Sequence, residues 1–70
     1  MGAVLTERTV VGERLKKLRG PRTQSEVAEA VGVTPMCISQ YESGDRIPVD
    51  DMKVKLANYF DVPLVDIFFT

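Results

Sequence analysis

The chain has no histidine, no tryptophan and a single cysteine among its 70 residues. Each shortage excludes a class of chemistry. With no histidine, and Cys37 alone, neither a Cys/His zinc site nor a histidine-based acid–base relay can be assembled. One cysteine cannot form an internal disulfide, so a reducing compartment fits best. No apolar run approaches the roughly 18 residues that span a bilayer. The amino end is neither basic nor continuously apolar, so no signal peptide is expected. A glycine-rich phosphate loop and a nucleophile–base constellation are also missing. Carboxylates are plentiful, but they fall at helix starts and on solvent faces, where capping accounts for them. The expectation is a cytoplasmic, non-enzymatic chain with no cofactor, no metal and no membrane partner.

What is present points to one small domain, close to the size at which a single core just suffices. Apolar residues make up 44% and charged residues 27%, the balance of a soluble globule. Net charge is −1, but it is unevenly spread. Residues 8–22 hold Arg8, Arg14, Lys16, Lys17, Arg19 and Arg22 against Glu13 alone, a net of +5. Residues 42–70 hold three basic and six acidic side chains, a net of −3. The amino-terminal third is therefore basic and the carboxyl end acidic.

The organising stretch is TQSEVAEAVGVTPMCISQYESG, residues 23–44. Thr23 is placed to cap a helix, with Glu26 three residues on to complete a capping box. Ala28 and Gly32 are small where two steeply crossed helices would meet, and Gly32 can end the first of them in the left-handed conformation. Thr34-Pro35 supplies a second cap followed by proline at the first helical position. Gly44 ends that helix. Two short helices joined by a tight turn form a helix-turn-helix unit, whose second helix suits a DNA major groove.

Around this unit the chain divides simply. Residues 1–9 read as an arm and residues 10–70 as one domain. A first helix is expected from Val10 or Val11 to Arg19, with Val11, Leu15 and Leu18 on one stripe. Gly20-Pro21 stops it. Val27, Ala28 and Val31 face inward from the second helix, Ile38 and Tyr41 from the third. Ile47 tucks in from the following loop. A fourth helix starts near Asp50 or Asp51, buries Met52, Leu56, Ala57 and Phe60, and ends at Asp61. A fifth, from Pro63 to about Phe68, contributes Leu64 and Ile67. The fold class is all-α, a compact five-helix bundle containing a helix-turn-helix.

In the order VGERLKKLR, TQSEVAEAVGVTPMCISQYESG, IP, VKLANYFDVPLVDIFF, the chain resembles the Cro/CI-type helix-turn-helix domains of phage repressors and small bacterial regulators. The resemblance covers Val11 to Phe69 and implies the lambda-repressor-like fold. It implies an ion pair between Arg19 and Glu42, tying the third helix to the first. It implies phosphate contacts from Gln24 on one side and from Ser43, Gly44 and Arg46 on the other, with Lys16 and Lys17 at the flank. Base-facing positions match Thr34, Pro35, Met36, Ser39 and Gln40. Of these Gln40 is the best reader, because its amide can pair with adenine N6 and N7. The chain departs from the family in its short Gly20–Arg22 turn, in the absence of lysine and arginine from the third helix, and at Val49, Asp61 and Pro63. There the family prefers a cap serine, a glycine and another cap serine.

The function implied is a nucleoid-associated transcriptional regulator. It would be a repressor that binds a palindromic double-stranded operator as a homodimer. The carboxyl-terminal Phe68-Phe69 pair offers a seam for self-association. Tyr41 shares a face with Ile38 and reads as core. Cys37 has no cationic neighbour in the sequence and reads as a small packing residue. The alternative is a protein-interaction module on the same fold, the antitoxin-like partner or target of a protein antagonist.

Overall fold

The structure is a computed structural model that describes residues 6–69. Among them are five helices and no strand: α1 (Arg8–Arg19), α2 (Gln24–Val31), α3 (Pro35–Ser43), α4 (Asp50–Phe60) and α5 (Leu64–Phe68). Among the described residues no helix is long and apolar enough to cross a membrane.

Local chemistry sets the bounds of α2 and α3. Thr23 Oγ1 accepts from the Glu26 N–H at 3.0 Å, and Thr34 Oγ1 from the Cys37 N–H at 3.2 Å. Gly32 and Gly44 close the two helices at φ 81° and 83°, in the left-handed region that L side chains avoid. Each cap satisfies backbone groups that the helix leaves unpaired.

The start of α1 differs from the sequence expectation. It begins at Arg8, two or three residues early, and its cap residue Glu7 makes no side-chain capping bond. A tertiary clamp holds this end instead. The Thr6 N–H donates to the Phe68 carbonyl at 2.7 Å. Arg14 Nη1 reaches Thr6 Oγ1 at 3.4 Å and the Asp66 and Ile67 carbonyls at 3.2 Å each. Arg14 thereby supplies a donor to the end of α5, where carbonyls lack helical partners. Residues 1–5 of the expected arm lie outside the described residues.

Val11, Leu15, Val27, Ala28, Val31, Ile38, Tyr41, Met52, Leu56, Ala57, Ile67 and Phe68 are buried together, joined by Cys37. Leu18, Phe60, Leu64 and Phe69 pack against this core but stay partly exposed. In the loop after α3 it is Pro48, not Ile47, that is fully buried. A second correction concerns glycine. A Cβ on Gly32 would meet nothing within 4 Å, so its role is conformational only. The close approach lies at Gly12, where a Cβ would strike the Glu42 carbonyl and come within 2.8 Å of the Tyr41 carbonyl. Gly12 lets α1 lie directly against the end of α3.

The carboxyl half is built differently. Val49 and Pro63 give no side-chain cap, and Asp61 ends α4 in the left-handed region at φ 56°. Lys53 is buried, with Nζ 3.4 Å from Asp50 Oδ1 and 5.8 and 5.4 Å from the ring centres of Phe68 and Phe69. An ammonium over two aromatic faces is attracted by their quadrupoles.

Candidate nucleic-acid interface

The short turn after α1 is closed by its own side chains. The Arg22 N–H donates to the Arg19 carbonyl at 3.1 Å, and Arg22 Nη1 to the Leu18 carbonyl at 3.2 Å. The Arg22 guanidinium also lies 5.5 Å from the Tyr59 ring centre and 5.8 Å from that of Phe60, seating the turn on α4. Arg19 is thereby left facing α3.

Its guanidinium meets Glu42 with two parallel bonds, Nε to Oε2 at 2.6 Å and Nη2 to Oε1 at 3.1 Å. The side chains are 18% and 6% exposed. This forked geometry suits arginine and would not suit lysine. The bond to Glu42 raises the Arg19 pKa, partly offset by burial, so the guanidinium stays charged. Loss of one partner from such a half-shielded pair costs about 2–3 kcal/mol, below the figure for a fully buried one. Gln24 joins the same carboxylate, Nε2 donating to Glu42 Oε1 at 3.1 Å. That bond fixes the amide's orientation while its second N–H hydrogen stays unspent.

Lys16, Gln24, Ser39, Glu42 and Ser43 line a shallow cleft of about 170 Å³ where α1, α2 and α3 meet. The cleft thus brings Lys16, Gln24 and Ser43 together. Lys17 is elsewhere: with Arg14, Leu18, Val62, Asp66 and Ile67 it lines a groove of about 290 Å³ on the α1–α5 side. Adjacent in sequence, the two lysines are divided by the helical turn.

On the outer face of α3, Thr34, Pro35, Met36 and Ser39 are exposed and Gln40 is half-buried. Met36 is 68% exposed, a large apolar side chain held in water. Thr34 spends its hydroxyl oxygen as a cap. The side chains of Ser39 and Gln40 make no hydrogen bond among the described residues. At the far end, Ser43 Oγ lies 3.1 Å from the Gln40 carbonyl and 3.0 Å from Asp45 Oδ2. The Gly44 N–H turns inward to the end of α3. Arg46 Nη1 lies 3.7 Å from Cys37 Sγ, so the thiol does have a cationic neighbour, supplied across the loop. Burial, and then contact with Cys37, pushes the Tyr41 phenol up to about 12. The phenol stays neutral and inward, off the outer face.

Sequence reasoning missed Gly12, Arg14, Lys53 and Asp45. The first three act through partners far along the chain. Asp45 did carry a local signal, being an acid directly after the glycine that ends α3.

The family model described as helix-turn-helix, of the Cro/CI type, matches residues 15–67. The chain belongs to this Cro/CI-type family. A transcriptional regulatory protein of the HTH type from Pyrococcus furiosus is 40% identical over 62 residues, covering 81% of this chain. The match takes in 20% of that protein, so the chain spans about a fifth of its length. Two solved structures are similar at more than a quarter identity. The SOS-response repressor LexA of Eubacterium rectale has a TM-score of 0.82 and 27% identity, over 87% of this chain and 67% of that one. The restriction-modification controller C.AhdI of Aeromonas hydrophila gives 0.78 and 26%, over 86% and 94%. The P22 c2 repressor, solved with a synthetic operator, shares the fold at TM-score 0.80 and 23% identity, over 83% and 91%. The chain thus carries the helix-turn-helix domain of a family that includes transcriptional regulators.

Proposed function

We propose that the protein is a sequence-specific repressor that lays α3 in the major groove of double-stranded DNA. It binds a palindromic operator as a homodimer and acts by occupying a promoter in the nucleoid. Two recognition helices then enter successive major grooves about one helical turn, roughly 34 Å, apart. One observation supports this reading most strongly. The exposed face of α3 offers Met36, Ser39 and Gln40 with no internal hydrogen bond to spend, directly beside the cleft of Lys16 and Gln24. Gln40 would read adenine edges, with Met36 and Pro35 against thymine methyls and Thr34 and Ser39 beside them. Lys16 and Gln24 would hold the phosphate register, with Ser43 at the edge of the same cleft, Arg46 beyond the carboxyl end of α3 and Lys17 towards the flank. No catalytic step is assigned.

The test is selection from random-sequence duplex DNA across a salt series. A two-fold symmetric motif with a steep negative dependence on salt supports the reading. A flat salt response with no enriched motif contradicts it. A second reading, a module that binds a protein antagonist, draws on the lack of lysine and arginine in α3 and on the acid at Asp45. Under it, affinity selection yields a protein partner and DNA yields no motif.

A further inference from the structure

The loop that follows α3 is wired to itself. The N–H groups of Gly44, Asp45 and Arg46 donate to the Tyr41 and Gln40 carbonyls at 3.3, 3.0 and 3.3 Å, so they point inward. Ser43 has one hydroxyl hydrogen and two acceptors in reach, the Gln40 carbonyl and Asp45 Oδ2. The Arg46 guanidinium leans on Cys37 Sγ. What this end of α3 shows to solvent beside Arg46 is the carboxylate of exposed Asp45. The cleft that Ser43 shares with Lys16 and Gln24 has the opposite character. The one carboxylate in this cleft, Glu42, is already engaged by Arg19 and Gln24, and the Lys16 side chain makes no bond among the described residues.

Resting on the DNA-binding reading, we propose that Asp45 sets the affinity of the complex. Its carboxylate, with the Gln40 carbonyl, keeps the Ser43 hydroxyl hydrogen occupied, and it repels the phosphate that approaches the carboxyl end of α3. The backbone grip therefore falls mainly on the Lys16–Gln24 cleft. The hydroxyl has one hydrogen to give. While that hydrogen is held by an internal acceptor, a phosphate oxygen meets only lone pairs. The charge acts in the same sense through Coulomb repulsion, which salt screens.

The test uses Asp45→Asn, Ser43→Ala and the double variant, each checked for unchanged helical content. Binding is titrated on the duplex enriched by selection and on random duplex. Asp45→Asn should tighten binding roughly three- to tenfold at about 0.1 M salt, with the gain shrinking by about 0.5 M. Ser43→Ala alone should change affinity by less than about twofold, yet remove part of the gain in the Asp45→Asn background, a coupling that a double-mutant cycle reads directly. An Asp45→Asn affinity equal to or below that of the original protein overturns the proposal. So does a Ser43→Ala loss of the same size in both backgrounds. If the original protein and every variant fail to bind any duplex at low salt, the DNA-binding reading itself falls, an outcome distinct from the first two.

Discussion

Helices α1–α3 and helices α4–α5 belong to one core but are specified in different ways. In the first group α2 and α3 have local caps: Thr23 and Thr34 bond the N–H groups of Glu26 and Cys37, and Gly32 and Gly44 take the left-handed turns. In the second group Val49 and Pro63 cap nothing, and an aspartate occupies the left-handed position at residue 61. What holds the second group is distant: Arg14 and Thr6 on the carbonyls of α5, and Lys53 over Phe68 and Phe69. Helices α2 and α3, which carry the candidate DNA-reading face, are bounded by their own sequence, and the closing helices depend on α1.

The largest effect that would break this contrast comes from Gly12. Gly12→Ala pushes a methyl group into the Glu42 and Tyr41 carbonyls and should cost roughly 3 kcal/mol, since backbone cannot yield as a flexible side chain would. Urea unfolding measures it, as a lower midpoint at unchanged slope. A cost under about 1 kcal/mol would mean that α1 and α3 can separate freely, and the contrast would fail.

Alkaline unfolding probes the same group of helices with a somewhat smaller effect. The Tyr41 phenol, ordinarily near 10, is raised to about 12 by burial. Between those values the unfolded chain has lost the proton that the folded chain keeps, so stability must fall as pH rises. Stability from this group is complete below pH 10 and is lost through about pH 12, up to roughly 2 kcal/mol. Tyr41→Phe should flatten that part of the pH profile relative to the original protein. Superimposable profiles would show that Tyr41 is not shielded.

The smallest effects sharpen the contrast by repairing α4. Val49→Ser adds the missing cap and should stabilise by roughly 0.5–1 kcal/mol. Asp61→Gly relieves the left-handed backbone by a similar amount, about 0.5–1 kcal/mol. Thermal melts of the two variants and their combination should show additive gains, because the sites lie at opposite ends of the helix. No gain from either would mean that α4 is already anchored well enough for its ends not to matter.

The same contrast explains what could be read from the chain. The bounds of α2 and α3 were legible because threonine caps, Pro35 and two glycines each act within four residues. The start of α1 was not, since Thr6 and Arg14 pair with residues more than fifty positions away. Gly12 could not be recognised as a contact, because a glycine inside a helix looks the same whether it faces water or another helix. Lys53 was hidden for a related reason: a lysine in an amphipathic helix normally reaches solvent, and only the arrival of Phe68 and Phe69 covers it. In the candidate site, the pattern of exposed α3 residues followed from helical spacing. The separation of Lys16 from Lys17, and the contact of Arg46 with Cys37, required the packing of α1 and the path of the loop.

The most direct test of α3 as a reading surface compares Gln40→Ala with Lys16→Ala on the DNA sequence enriched by selection. Gln40→Ala should relax preference at one position of each half-site, costing about 1–3 kcal/mol there and little elsewhere. Lys16→Ala should weaken all sequences alike and lower the salt dependence by about one unit of slope per protomer. If Gln40→Ala leaves every base preference intact, α3 does not read the sequence, and the account of this protein as a sequence-specific regulator is contradicted.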